Sequence, residues 1–433
     1  MIEQEQLHAS LKKSSLPGSH DISRTELENG ITVLVRPNLN TLSVSLAGYL
    51  LAGSLYEPRD QLGLADFTAS SLMRGTQEMT FGEIYNRLES IGASMSFSGG
   101  THTSGFSGKA LADDIDTLLS ILAAALRRPT FPEQDVERVR SQLLTALDLR
   151  TQNTGDMASL IFDQLIYPDH PYQYPEDGYP ETIASIQRED LITFHQQQYG
   201  PRKMVIAATG AVEPHSVVQA VREVLGDWVN PDQPEEKHVP PAPAPSGVLR
   251  KHHNIPEKSQ VDVVLGAPGP PRSSPDFVPA KLGNNVLGQF GMMGRIGDAV
   301  RSKAGLAYYA YSSVSSSIGP GPWSVSAGVN PQNVEKALQL IRGELDRFVS
   351  HPVDEDELED SKSSYIGKLP LALESNAGVA AALLNLERYQ LGLDYYQRYE
   401  DIIREVTREQ ILEVAQKYLD PRQLAIATAG SET

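Results

Sequence analysis

The chain has no cysteine among its 433 residues. That excludes a disulfide framework, a thiol nucleophile, and cysteine-ligated zinc or iron–sulfur chemistry. It leaves the compartment open. Positive charge is scarce too: 37 Lys and Arg stand against 55 Asp and Glu, a formal net charge of −18. Such a balance argues against nucleic acid or an anionic membrane surface as the main partner. Long apolar runs are missing, the longest, at 377–384, falling far short of the ~18 residues a membrane helix needs. Residues 1–20 are polar, with Lys12 and Lys13 followed by no apolar stretch, so no secretory signal is expected. None of the ten histidines forms a helical His-x-x-x-His pair. Together these absences predict a cytoplasmic protein that binds neither nucleic acid nor membrane.

What is present is an ordinary globular composition, 40% hydrophobic and 21% charged, in a chain long enough for two or three domains. The most informative feature is an internal repeat. Residues 187–210 read QREDLITFHQQQYGPRKMVIAATG and residues 407–430 read TREQILEVAQKYLDPRQLAIATAG. Each copy has apolar residues at helical spacing, a Pro-Arg break, and a short apolar strand ending at Gly210 or Gly430. Between the halves, residues 230–247 contain six prolines and no apolar periodicity, which marks an extended, semi-rigid linker. The reading is therefore a duplicated chain: an N-terminal domain over 1–230, a linker over 231–246 and a C-terminal domain over 247–433.

Within the first half, strands are expected at 30–36, 42–50, 94–98 and 104–109, and helices at 61–73, 80–91, 113–127, 133–150, 157–167 and 188–199. In the second half, strands are expected at 261–265, 307–314 and 323–329, and helices at 331–350, 355–369, 377–390 and 407–418. Strands joined by short turns, with amphipathic helices elsewhere, make each half an α+β unit with helices packed on a sheet.

Residues 52–76, AGSLYEPRDQLGLADFTASSLMRGT, resemble the pitrilysin/insulinase-type zinc peptidases. In those enzymes the helix of this segment carries His-x-x-Glu-His, the inverse of the HExxH order. Two His one turn apart bind zinc, and the Glu polarises the metal-bound water. Here the frame Gly63-Leu64-Ala65 and Gly75-Thr76 is kept, but Asp66 stands at the first His, Ala69 at the Glu and Ser70 at the second His. Alignment of residues 151–158 with the family puts Leu147 where a third ligand, a Glu, would be. A lone carboxylate cannot hold a catalytic zinc, which takes three protein ligands and an open position. No metal is expected in this chain.

Residues 288–314, GQFGMMGRIGDAVRSKAGLAYYAYSSV, resemble the family's Gly-rich loop and the segment after it. The resemblance implies a substrate-facing loop at Gly288, Gly291 and Gly294. It also implies that Arg301 and Tyr308, seven positions apart, match an Arg and a Tyr that hydrogen-bond the carbonyl oxygens of the substrate backbone. An arbitrary Arg and Tyr would be a solvated cation and a packed strand residue; the matching motif is what separates this pair. Strand alternation places Tyr308 on the face opposite Tyr309 and Tyr311, and Gly305 is expected to end the helix of Arg301. The glycines lack the Gly-Lys-Ser/Thr ending of a phosphate loop. His170, His252 and His253 are read as structural or surface residues.

The resemblance spans about residues 22–430. It implies two homologous duplicated domains, each a mixed β-sheet with helices, facing across a chamber. It further implies a non-zinc-binding subunit of a heterodimeric metallopeptidase. In that role Arg301 and Tyr308 act in trans on peptides, zinc resides in a homologous partner subunit, and the chain alone has no peptidase activity. The alternative is a non-catalytic structural or peptide-binding subunit, a homodimer included.

Overall fold

The computed structural model describes residues 16–432; residues 1–15, on which most of the signal-peptide reading rests, lie outside the described residues. The first half of the chain contributes strands β1 (Ser23–Glu26), β2 (Thr32–Pro37), β3 (Ser43–Leu50), β4 (Ser94–Ser98), β5 (Ser104–Leu111) and β6 (Val205–Gly210). Its helices are α1 (Leu64–Ser71), α2 (Phe81–Ser90), α3 (Ile115–Arg127), α4 (Glu133–Thr151), α5 (Thr154–Ile166), α6 (Pro180–Ser185), α7 (Arg188–Gln198) and α8 (Pro214–Leu225). The second half contributes β7 (Leu249–Asn254), β8 (Val261–Pro268), β9 (Ala307–Val314), β10 (Pro322–Val329) and β11 (Ala425–Gly430). Its helices are α9 (Phe277–Gly288), α10 (Phe290–Gly297), a π-helix (Asp298–Lys303), α11 (Val334–Ser350), α12 (Glu355–Ala372), α13 (Asn376–Arg388), α14 (Tyr395–Arg404) and α15 (Arg408–Tyr418). The fold is α+β, with two mixed sheets each packed with helices.

The duplication is visible in topology. One sheet has the order β1-β2-β6-β3-β5-β4, the other β7-β11-β8-β10-β9. With β1 set aside, the two orders correspond strand for strand. In both, one pair is parallel (β2 with β6, β7 with β11) and the remaining pairs are antiparallel. The repeated helix-strand segments form α7–β6 and α15–β11, and each strand lies in the interior of its sheet with all six residues buried.

The two compact units draw on both sides of the linker: residues up to 147, 175–237 and 369–399 form the first, and 148–174, 238–368 and 400–432 the second. Alternation explains the arrangement. In β6, Ile206 and Ala208 join the core that holds α3, so the alternate residues Val205 and Ala207 face the other way, where α13 packs. In β11 the equivalent residues Ala425, Ala427 and Ala429 cluster with Ala158, Ile161, Phe162 and Ile166 of α5. Small side chains let each helix approach closely. Each sheet is thus covered on one face by a helix encoded in the opposite half of the sequence. The linker is fixed at both ends: Gln233 is buried and bonds the backbone N–H and C=O of Arg202, while Pro240 O bonds the His170 ring at 2.9 Å.

Candidate functional site

The helix α1 begins at Gly63, whose φ of 92° lies in the left-handed region. A Cβ there would stand 2.6 Å from Ile183 Cδ1, so glycine is required twice over. No Ncap side chain serves the helix. Instead Glu57 reaches in, accepting from Gly63 N at 3.0 Å and Ala65 N at 2.6 Å. The orphan donors at the helix start are satisfied by a carboxylate placed where the helix dipole favours it. Burial pushes Glu57 up to about 8, against the pull of these two bonds, with Asp66 and Glu176 adding repulsion. Sequence reading missed Glu57, although it lies within the motif that carries the resemblance.

Of the four positions the resemblance singles out, Asp66, Ala69 and Leu147 are built into the fold and Ser70 faces a cavity. Asp66 accepts from Gly99 N at 3.1 Å. Gly99 permits this approach, since a Cβ there would meet Asp66 Cα at 2.4 Å. Burial raises Asp66 to about 6; the Gly99 bond lowers it, and Asp177 and Glu176 raise it. Ala69 is buried. Leu147, 2% exposed, belongs to the same apolar cluster as Ala65 and Phe67. Helix hydroxyls bond back along the chain, Thr68 to Leu64 O at 2.7 Å and Ser71 to Phe67 O at 2.8 Å. Ala69 and Ser70 do face a cavity of about 220 Å³, shared with Met73, Met95, Phe97 and Leu143 among others, and neither imidazole nor carboxylate lines it. This donor set does not fit a zinc ion. Among the described residues no group of three or more His, Asp or Glu is placed to hold a metal.

The second unit presents the other set of residues. Arg301 lies in the π-helix Asp298–Lys303, a wider turn than the α-helix expected from sequence. Gly305, at φ 65°, closes it by donating to Arg301 O at 3.1 Å, and Leu306 N donates to Val300 O at 3.0 Å. Two residues beyond Leu306, on β9, Tyr308 is 82% exposed. Tyr309 and Tyr311 share the other face, their rings 5.7 Å apart. The Tyr309 hydroxyl donates to buried Asp262 of β8, which also accepts from Thr154 of α5. Tyr309 reaches Asp262 by lying across Gly328 of β10, where a Cβ would meet its ring at 2.7 Å. This tie fixes β9 with Tyr308 pointing outward. Among the described residues Arg301 forms no ion pair, whereas nearby Arg295 binds Glu357 and Lys303 binds Asp298 at 2.6 Å.

The glycine-rich segment is not a regular helix. Gly291, Met292, Met293 and Gly294 depart from helical dihedrals, and Phe290 and Met292 are exposed. Gly288 and Gly294 are demanded by close approach, their Cβ positions falling 2.2 Å from Ser312 N and 2.6 Å from Gly288 N.

Comparison with known proteins gives a consistent picture. Residues 32–165 match the insulinase (peptidase family M16) domain, and residues 185–365 match the peptidase M16 inactive domain. A Mycobacterium leprae protein described as an uncharacterized zinc protease is 26% identical, over 93% of this chain and 91% of its own length. A Streptomyces coelicolor protein of the same description is 24% identical, over 84% and 80%. The crystal structure of a peptidase M16 inactive domain from Pseudomonas fluorescens superposes with a TM-score of 0.87 at 25% identity, covering 95% of this chain and 98% of that one. A protease from Helicobacter pylori has the same fold, with a TM-score of 0.87 at 19% identity over 96% and 100% of the two chains.

Proposed function

The chain belongs to the M16 peptidase family, and on that premise we propose that it is the non-zinc-binding subunit of a heterodimeric metallopeptidase. In this reading Arg301 and Tyr308 act in trans on peptides bound with a zinc-bearing homologous partner. The observation that carries it is the contrast in how donors are used. Arg301 forms no ion pair among the described residues and Tyr308 is 82% exposed, while their neighbours are engaged. A guanidinium and a phenol O–H both remain protonated at neutral pH. Aimed at a peptide carbonyl, they stabilise the negative charge that grows on its oxygen as the tetrahedral intermediate forms. The first unit adds a place for an extended peptide: β4 is an edge strand, and Met95, Ser96 and Phe97 from it line the cavity beside α1. An edge strand offers unpaired backbone groups for strand addition.

The test is reconstitution. The chain purified alone should carry no stoichiometric zinc and cleave no peptide, and the zinc-bearing homologue from the same cell should restore cleavage. Arg301→Ala should then lower kcat by about 10²–10³. A complex unimpaired by that change and by Tyr308→Phe refutes the division of labour. A stable homodimer that binds peptides and recruits no zinc subunit would favour a purely binding role.

A further inference from the structure

Among the described residues the second sheet lacks a strand that the first one has. In the first, β1 lies antiparallel along the outer side of β2, with Thr25 and Ser23 opposite Val33 and Val35. The counterpart of β2 is β7, which pairs with β11 and forms an edge of its sheet. The two registers match. Thr32 and Leu249 open their strands opposite Val205 and Ala425, and each donates its N–H inward, to Met204 O at 2.8 Å and to Leu424 O at 2.9 Å. Ile255 N donates in the same direction, to Gly430 O at 2.9 Å. In a parallel pair alternate residues bond the neighbour, so the N–H and C=O groups of Arg250, His252 and Asn254 point away from β11. Among the described residues those groups have no partner. Arg250 and His252 thus stand where Val33 and Val35 receive β1.

A cleft of about 510 Å³ lies between β7 and one side of α11. Leu338 and Ile426 give it apolar surface, and Gly343, with open space where a Cβ would be, keeps the helix side clear. Arg250 and His252 turn to this side: Arg250 pairs with Glu335 of α11, and His252 Nδ1 is 2.8 Å from Thr428 Oγ1. An open edge strand beside a helix is an arrangement that captures extended peptides. Backbone bonds give affinity and the groove takes alternate side chains.

Charge selects the occupant. Lys251 and Arg342 are exposed and form no ion pair among the described residues. Of the acids in the cleft, Glu335 is taken by Arg250, and Asp346 interacts with Arg422. A second copy of β7 would set one basic strand against another, and like charges facing each other across strands are destabilising. The strand that fits carries carboxylates.

We propose that the open edge of β7 takes up an extended acidic segment of a partner protein, antiparallel and in the register that β1 uses on β2, with alternate side chains in the cleft beside α11. The proposal does not rest on the peptidase reading, whose Arg301 and Tyr308 lie on other elements.

The test is fluorescence anisotropy of the labelled peptide Val-Glu-Val-Glu-Val-Glu-Thr with the full chain at low salt. That peptide should bind, and Val-Lys-Val-Lys-Val-Lys-Thr should not. Lys251→Glu, at an exposed position, should weaken binding about tenfold, roughly 1.4 kcal/mol. His252→Pro removes an N–H that bonds no described residue, a change an edge strand tolerates, and should abolish binding. If that variant fails to fold, peptides N-methylated at alternate residues ask the same of the probe: one alternating pattern should bind and the other should not. Binding that survives Lys251→Glu and His252→Pro puts the peptide elsewhere, the β4 edge included, and overturns the proposal. So does equal binding by the two methylation patterns, or no binding by the acidic peptide at all. A chain that self-associates and is made monomeric by His252→Pro makes the occupant a second copy and overturns it too.

Discussion

The helix α1 of the first unit and the π-helix–β9 segment of the second are the two places where the family's chemistry would reside, and they treat polar groups in opposite ways. Around α1 the polar side chains are committed to the fold: Glu57 caps the helix, Asp66 bonds Gly99, and Thr68 and Ser71 bond their own helix. At Arg301 and Tyr308 the donors have no internal partners among the described residues. A sequence that had only drifted from an active ancestor would be expected to loosen both places alike. Here one is consolidated into the fold and the other kept open, which supports a division of roles between subunits.

The strongest challenge to this comparison is the double variant Arg301→Ala/Tyr308→Phe. Neither side chain bonds within the described chain, so unfolding of the free protein should be unchanged to within about 0.5 kcal/mol. The reconstituted complex should lose about 10²–10³ in turnover, roughly 3–4 kcal/mol. A large loss of stability with little loss of turnover would reverse the assignment.

Restoring a ligand to the consolidated side should be costly. Leu147→Glu puts a carboxylate into an apolar cluster, and denaturant unfolding at neutral pH should show a loss of about 3 kcal/mol or more. The buried carboxyl will have a raised pKa, so the penalty should shrink as pH falls from neutral toward the ordinary glutamate value of about 4.3. A neutral effect would mean that the position is already open to water.

Asp66→Asn sharpens the same point through pH. The folded-state pKa of about 6 lies above the ordinary aspartate value of 3.8. Its contribution is therefore intact below about pH 4 and is lost as pH rises through about 6. The amide keeps an acceptor for Gly99 N, so the variant should be more stable than wild type by about 3 kcal/mol at pH 7. Near pH 4 the difference should vanish; an equal gap at both values would show that Asp66 is already well solvated.

The smallest effect concerns the turn that presents Tyr308. Gly305 has φ 65° and open space around its missing Cβ. Gly305→Ala should therefore cost only backbone strain, about 1 kcal/mol by thermal unfolding.

Much of this was legible in the sequence, for reasons that differ by element. The helix α3 announces itself by apolar period and the strand β6 by a short unbroken run of apolar and small residues. The expected strand at 94–98 coincides with β4. Other elements carry no such signal. The strand β7, LRKHHN, is polar almost throughout and exists because its backbone pairs with β11. The helix α9 contains Pro279 and the pair Asn284-Asn285, poor helix formers, yet it is buried along nearly its whole length. Burial and hydrogen bonds compensate: Trp323 Nε1 donates to Asn284 at 3.0 Å, and Asn285 donates to Ser361 at 3.1 Å. At the candidate site, the residue types at Asp66, Ala69, Ser70 and Leu147 stand in the sequence. The partners around α1 do not, because Gly99 and Glu57 are placed by tertiary structure.

The exchange of α5 and α13 between the halves has a consequence for how the molecule comes into being. When the first 230 residues leave the ribosome, the face of their sheet that holds Val205 and Ala207 is bare, and its cover is still more than a hundred codons away. A gene fragment encoding either half should give an aggregating product that the complementary fragment rescues, and a protease nick in the linker should leave the two pieces bound together.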